Sequence, residues 1–132
     1  MEMTAAIYFP IVGRVFIAIL YIISAVGMIA NLKRIIELMA SKRVPMPHIL
    51  LTITIVLWIL GGVCLVLGWN VRIAAAAIFV VMIPVTLGIH RPWEAADPAE
   101  FEHELTHFLK NVGILGGLLY IMYFGAGPYS LG

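Results

Sequence analysis

The chain has 132 residues, a formal net charge of +1, and 63% hydrophobic against 11% charged residues, with a mean hydropathy of +1.07. A chain this short cannot hide so much apolar surface within itself, so the composition excludes an ordinary water-soluble domain and points to a membrane. The eight Lys and Arg are scattered without a basic run, which argues against nucleic acid as a partner, and the single cysteine, Cys64, can form neither an intramolecular disulfide nor a metal cluster.

Three apolar runs, at about 11–31, 49–68 and 71–89, are each long enough to cross a bilayer, which takes roughly 20 helical residues. Only Arg14 and Arg72 interrupt them, each near the start of a span. The first run is preceded by Glu2 and no basic cluster, so it does not read as a cleavable signal peptide. After it, Leu32, Ile35, Ile36 and Met39 follow helical spacing, with Lys33, Arg34, Glu37 and Lys42 largely elsewhere. This pattern predicts a basic amphipathic helix along the membrane surface, stopped by Pro45 and Pro47; a solvated loop is the alternative.

The second and third spans are joined by Gly68-Trp69-Asn70-Val71-Arg72, which leaves room only for an antiparallel hairpin. Gly68 can close the first helix and Trp69 suits the interface. Gly61 and Gly62 in the second span read as close helix packing, and Pro84 as a tolerated kink in the third.

The fourth apolar run, from Val112 to Phe124, is too short to span. Counting back roughly 20 residues from its end reaches Leu105, so a crossing here takes His107, Lys110 and Asn111 with it. The helix start is marked by Asp97 as N-cap, Pro98 at the first helical position and Glu100 as a capping-box-like partner. One domain over 1–132 with spans at about 11–31, 49–68, 71–89 and 105–124 follows: an all-α membrane protein, an antiparallel four-helix bundle with an amphipathic extension after the first helix. Four crossings put loops 32–48 and 90–104 on one side, with Lys33, Arg34, Lys42, Arg43 and Arg91, against Arg14 and Arg72 on the other. The positive-inside rule then predicts both loops in the cytoplasm and both termini outside, in a prokaryotic inner membrane.

Chemistry concentrates at residues 100–111. His103-Glu104-Leu105-Thr106-His107 has the H-E-x-x-H form of zinc hydrolases, with two His on one helix face and a Glu to polarise bound water. No third ligand is evident, so no metal is assigned. The second reading is an intramembrane polar face: Glu100, His103, Glu104, His107 and Asn111 lie within about 100° of helix surface, with Lys110 at the edge. Gly113 and Gly117 beyond it form a small-xxx-small pair that admits a second helix. Ionisable groups in a membrane pair, turn inward or line polar cavities. A pocket would also draw on His90, Arg91 and Trp93 at the end of the third span. At the opposite side, Arg14 and Arg72 both begin spans and can meet lipid phosphate, helix-end carbonyls or an anionic ligand.

Several segments together resemble the DoxX family of small bacterial and archaeal membrane proteins. They are Gly13-Arg14 opening the first helix, Gly61-Gly62 leading to LVLGWNVRIAAAA, HRPW at 90–93, and HFLKNVGILGGLLY at 107–120. The resemblance places His107, not His103, at the start of the family's pattern, which makes the H-E-x-x-H incidental. It implies a link to thiosulfate:quinone oxidoreductase, whose membrane subunit gives the family its name, or to thiol redox. The resemblance implies a Glu before the paired glycines in many members; here Trp58 stands at the nearest position, which weakens a proton-relay role for that helix.

Two functions follow. In one, the chain is a small accessory subunit of a larger redox-linked membrane complex, bound to lipid, to other subunits or to itself, with Tyr120, Tyr123 and Tyr129 as interfacial anchors. In the other, His107 and Lys110 hydrogen-bond a quinone carbonyl and His90 handles protons. The chain has no haem pair, no Cys-x-x-Cys and no flavin fingerprint, hence no electron cofactor of its own, and no complete catalytic constellation. The accessory role is the preferred expectation.

Overall fold

A computed structural model describes residues 2–131. Its helices are α1 (Glu2–Ala30), α2 (Leu32–Ser41), α3 (Pro47–Leu67), α4 (Val71–Ile89) and α5 (Pro98–Phe124), with a 3-10 turn at Pro92–Glu94. Among the described residues there is no strand, and four helices are long and apolar enough to cross a membrane: α1, α3, α4 with the turn after it, and α5. The protein is an all-α multi-pass membrane bundle.

The helix that carries the first apolar run begins before it: α1 starts at Glu2 and passes through Pro10. The proline removes one backbone donor, which a helix in a membrane tolerates, and Glu2 in the first turn complements the helix dipole. The amphipathic segment is a helix and not a loop: Met39 is buried and Ile35 and Ile36 half-buried, while Lys33, Arg34 and Glu37 stay exposed. Its end differs from expectation. The helix stops before the prolines, where Val44 N–H donates to Met39 C=O and Arg43 N–H to Ala40 C=O, both at 3.0 Å. This is a Schellman stop with Arg43 in the left-handed region at φ 62°, where glycine is usual. Pro47 instead opens α3 at its first turn.

Gly68 closes α3 at φ 70°, as its position suggests, and three residues later α4 begins. α1 packs on α3, α3 on α4 and α4 on α5, and α2 lies against α3. The core runs through Ala18, Tyr21 and Ala25 of α1, Trp58 and Leu65 of α3, Ala75, Ile78 and Met82 of α4, and Leu118 of α5. The paired glycines serve two neighbours at once. A Cβ on Gly61 would lie 2.7 Å from Ile78 Cδ1 of α4, and one on Gly62 2.6 Å from Ile22 Cγ1 of α1. Inside the chain Gly113 faces no such neighbour, and Gly117 meets only Ile17 Cδ1 at 4.0 Å. An Arg43–Glu94 ion pair of 3.0 Å ties loop 32–48 to loop 90–104 at one end of the bundle. Residues 125–130 fold back over the other end, where Tyr129 C=O accepts from Arg14 and Gly127 lies against Pro10.

Candidate functional site

The start of α5 follows its sequence signals with one change. Asp97 Oδ1 accepts from Glu100 N–H at 2.8 Å, but the Glu100 carboxylate reaches Ala96 N–H at 3.0 Å, one residue before the cap. Glu100 is thereby spent on the helix start and is exposed, so it leaves the polar face. His103 is exposed too, its ring in edge contact with His107 at 4.6 Å.

The remaining residues of the face meet the end of α4. His90 follows the last residue of α4, and its imidazole stacks on His107 at 5.0 Å and 16°. Glu104 Oε2 accepts from Arg91 N–H at 3.2 Å and lies 3.4 Å from His90 Nδ1. That second approach lacks hydrogen-bond geometry, so His90 Nδ1 is buried with no hydrogen-bond partner. It is close enough to carry a charge contact when the ring is protonated. One turn deeper, Asn111 Nδ2 donates to Thr86 Oγ1 at 3.0 Å. His90, Glu104, His107, Asn111 and Thr86 therefore form one α4–α5 seam.

The neighbours have other tasks. Arg91 Nε donates to Leu87 C=O at 2.9 Å, capping the negative end of α4, and its NH1 approaches Glu94 at 3.4 Å. Trp93 is exposed and meets Phe108 edge-on at 5.9 Å. Lys110 is exposed and makes no hydrogen bond or ion pair among the described residues. Glu104 is turned to the Arg91 amide, not poised over the His103–His107 pair, and among the described residues no three His, Cys, Asp or Glu side chains converge as metal ligands.

At the opposite end Arg14 is 3% exposed. Its Nη1 donates to Leu65 C=O at 3.4 Å and its Nη2 to Tyr129 C=O at 3.2 Å, while Nε has no partner among the described residues. Leu65 lies in the last turn of α3, where the dipole is negative, so Arg14 meets one helix-end carbonyl and one carbonyl of the segment after α5. Arg72 is exposed and lies against Gly125, where a Cβ would come within 3.0 Å of its Nε. Arg14 thus bonds to the segment after α5, and Arg72 lies beside its start. Beside Arg72 a cleft of about 480 Å³ opens between Asn70, Phe124, Gly127 and Ser130.

Sequence reasoning did not find Thr86, the Glu104–Arg91 contact or the returning C-terminal segment. Thr86 was visible as a polar residue four before His90 in an apolar helix. The Glu104 contact is to a backbone amide, which no residue type announces.

Four long apolar helices in antiparallel order, with short loops and a polar seam between the last two, define a small integral membrane protein of the four-helix type. The chain belongs to the DoxX family, whose model matches residues 9–91, well over half of its length. The match takes in Gly13-Arg14, Gly61-Gly62, the hairpin and His90-Arg91; α5, with His107, Lys110 and Asn111, lies beyond it. No curated protein and no solved structure matched.

Proposed function

We propose that this chain is an accessory subunit of a larger, redox-linked membrane assembly, without catalysis of its own. One observation carries the reading: α5 is the least apolar of the four crossing helices and also the least covered. Only 6% of its most apolar stretch is buried, against 22% to 33% in the others. A helix bearing Lys110 and open at Gly113 is a poor face for lipid, because polar side chains in a bilayer seek partners and small residues invite close helix approach. Contact with other subunits or a second copy covers that face, and lipid covers the rest. The charge bias of the loops supports a prokaryotic cytoplasmic membrane with loops 32–48 and 90–104 inside and both termini outside.

Native mass spectrometry of the protein extracted gently from its source membrane tests this. A larger redox enzyme or a second copy travelling with the chain is expected, and photocrosslinkers at positions 109, 112 and 116 should capture it. A chain that leaves the membrane alone, with no crosslink along α5, refutes the reading.

A second reading rests on His90 Nδ1, a buried nitrogen without a hydrogen-bond partner beside His107. In it, a quinone carbonyl is held by His107 and Lys110 at the mouth of the seam, with His90 exchanging protons. Asn111 is already committed to Thr86 there. A quinone bound to the isolated chain and lost on Lys110→Met favours this reading; assembly weakened by Lys110→Met, with no quinone bound to the chain, favours the first.

A further inference from the structure

A separate groove lies on the other side of α4, at the same end as the seam. Met39 and Val44 roof it from the end of α2, Ile53 and Thr54 line it from α3, and Pro84 and Gly88 from α4. Its volume is about 160 Å³ and its walls are apolar. The one hydroxyl in it, on Thr54, is already bonded to Leu50 C=O at 2.8 Å, so the groove asks for no polar ligand. Gly88 keeps it open: a Cβ there would meet only Val44 Cγ2, at 3.7 Å. Ile53 is 45% exposed, so the groove communicates with the surface that faces the bilayer. An apolar void forfeits dispersion contacts along its walls, and hydrocarbon restores them.

The rim is cationic. The segment 31–48 carries Lys33, Arg34, Lys42 and Arg43 against the single carboxylate of Glu37. At the end of α2 beside Val44, Arg43 and Arg91 share one carboxylate, Glu94, at 3.0 and 3.4 Å, and Lys42 makes no ion pair among the described residues. That corner keeps an excess of positive charge directly above an apolar slot.

We infer that the groove holds one acyl chain of an anionic phospholipid, whose phosphate sits at the Lys42–Arg43 corner. Both halves of the ligand are matched. The slot takes hydrocarbon, and the rim selects a negative headgroup by about fivefold, the value of one Lys or Arg at an anionic surface. α2 is then a lid over a bound lipid and not merely a helix resting on the membrane. This inference is independent of the seam and of the proposed assembly.

The test uses the full chain in detergent, titrated with phosphatidylglycerol or with phosphatidylcholine of the same acyl chains, and read by native mass spectrometry. Wild type is expected to retain one phosphatidylglycerol, about fivefold tighter than phosphatidylcholine. Gly88→Leu fills the slot and should lose both lipids. Lys42→Gln should keep the chain site and lose the headgroup preference. Ile53→Trp obstructs the groove from an exposed position and repeats the test if Gly88→Leu fails to fold. Equal binding of the two lipids to wild type overturns the inference. So does undiminished binding to both groove-filling variants, or a co-purifying apolar molecule that phosphatidylglycerol does not displace.

Discussion

Tyr21 shows how a single polar atom sets a measurable quantity in this bundle. Its ring is buried to 2% exposure and packs edge-on against Trp58 at 4.9 Å, but its hydroxyl has no partner. A buried unsatisfied hydroxyl costs about 1–3 kcal/mol, so Tyr21→Phe should keep the ring contact and raise stability by about 1 kcal/mol. Thermal unfolding in detergent checks this, and a loss of stability would mean that the hydroxyl is bonded after all. Asn111 predicts the opposite sign. Asn111→Leu leaves the Thr86 hydroxyl without its partner and should lower stability by about 1 kcal/mol, whereas adding Thr86→Val should recover part of the loss. His90, Glu104, His107 and Asn111 of the seam were legible in the sequence because each stands out beside or within an apolar run, whereas Thr86 was not singled out. Their partners were less so: Leu65 C=O for Arg14 and the Arg91 amide for Glu104 are backbone groups, present at every position and marked at none.

Helices were the most legible level, and their ends the least. The crossing segments follow from hydropathy, since a bilayer imposes a length that the sequence must meet. Nothing imposes where a helix stops once it has left the bilayer, so α1 extends back to Glu2 and α2 ends on the backbone turn at Arg43 instead of at a proline. Where a side chain makes the end, as Asp97 does, the sequence showed it. The paired and unpaired glycines give a contrast at this scale. Gly62→Val places its branches against Ile22 and the backbone of Ala18, and overpacking of this kind costs about 1–3 kcal/mol. Gly113→Ala meets nothing within the chain and removes a helix-weakening residue, so the isolated protein should be no less stable. Comparing the melting temperatures of the two variants with wild type checks both signs. If Gly113→Ala weakens capture of a partner while leaving the isolated chain intact, α5 is the assembly face.

The whole molecule divides its polar groups between two ends, which makes its orientation consequential. One end holds the His90–His107 seam and the cationic rim of α2; the other holds Arg14, Arg72 and the returning segment around Tyr129. Under the proposed orientation the seam faces the cytoplasm, while the cleft beside Arg72 faces outward. The single native cysteine makes this directly measurable. In a Cys64→Ala background, Ser41→Cys places a thiol at the exposed end of α2 and Ser130→Cys one in the exposed C-terminal segment. A membrane-impermeant maleimide added to intact cells should label Ser130→Cys and should reach Ser41→Cys only after the membrane is opened. Reversal of the two would invert the bundle without altering its fold, because loop charge biases orientation and helix packing is indifferent to it. Labelling of both from one side would contradict the three crossings, by α3, α4 and α5, that separate Ser41 from Ser130. Loop charge, and not packing, then decides which compartment the His90–His107 seam meets.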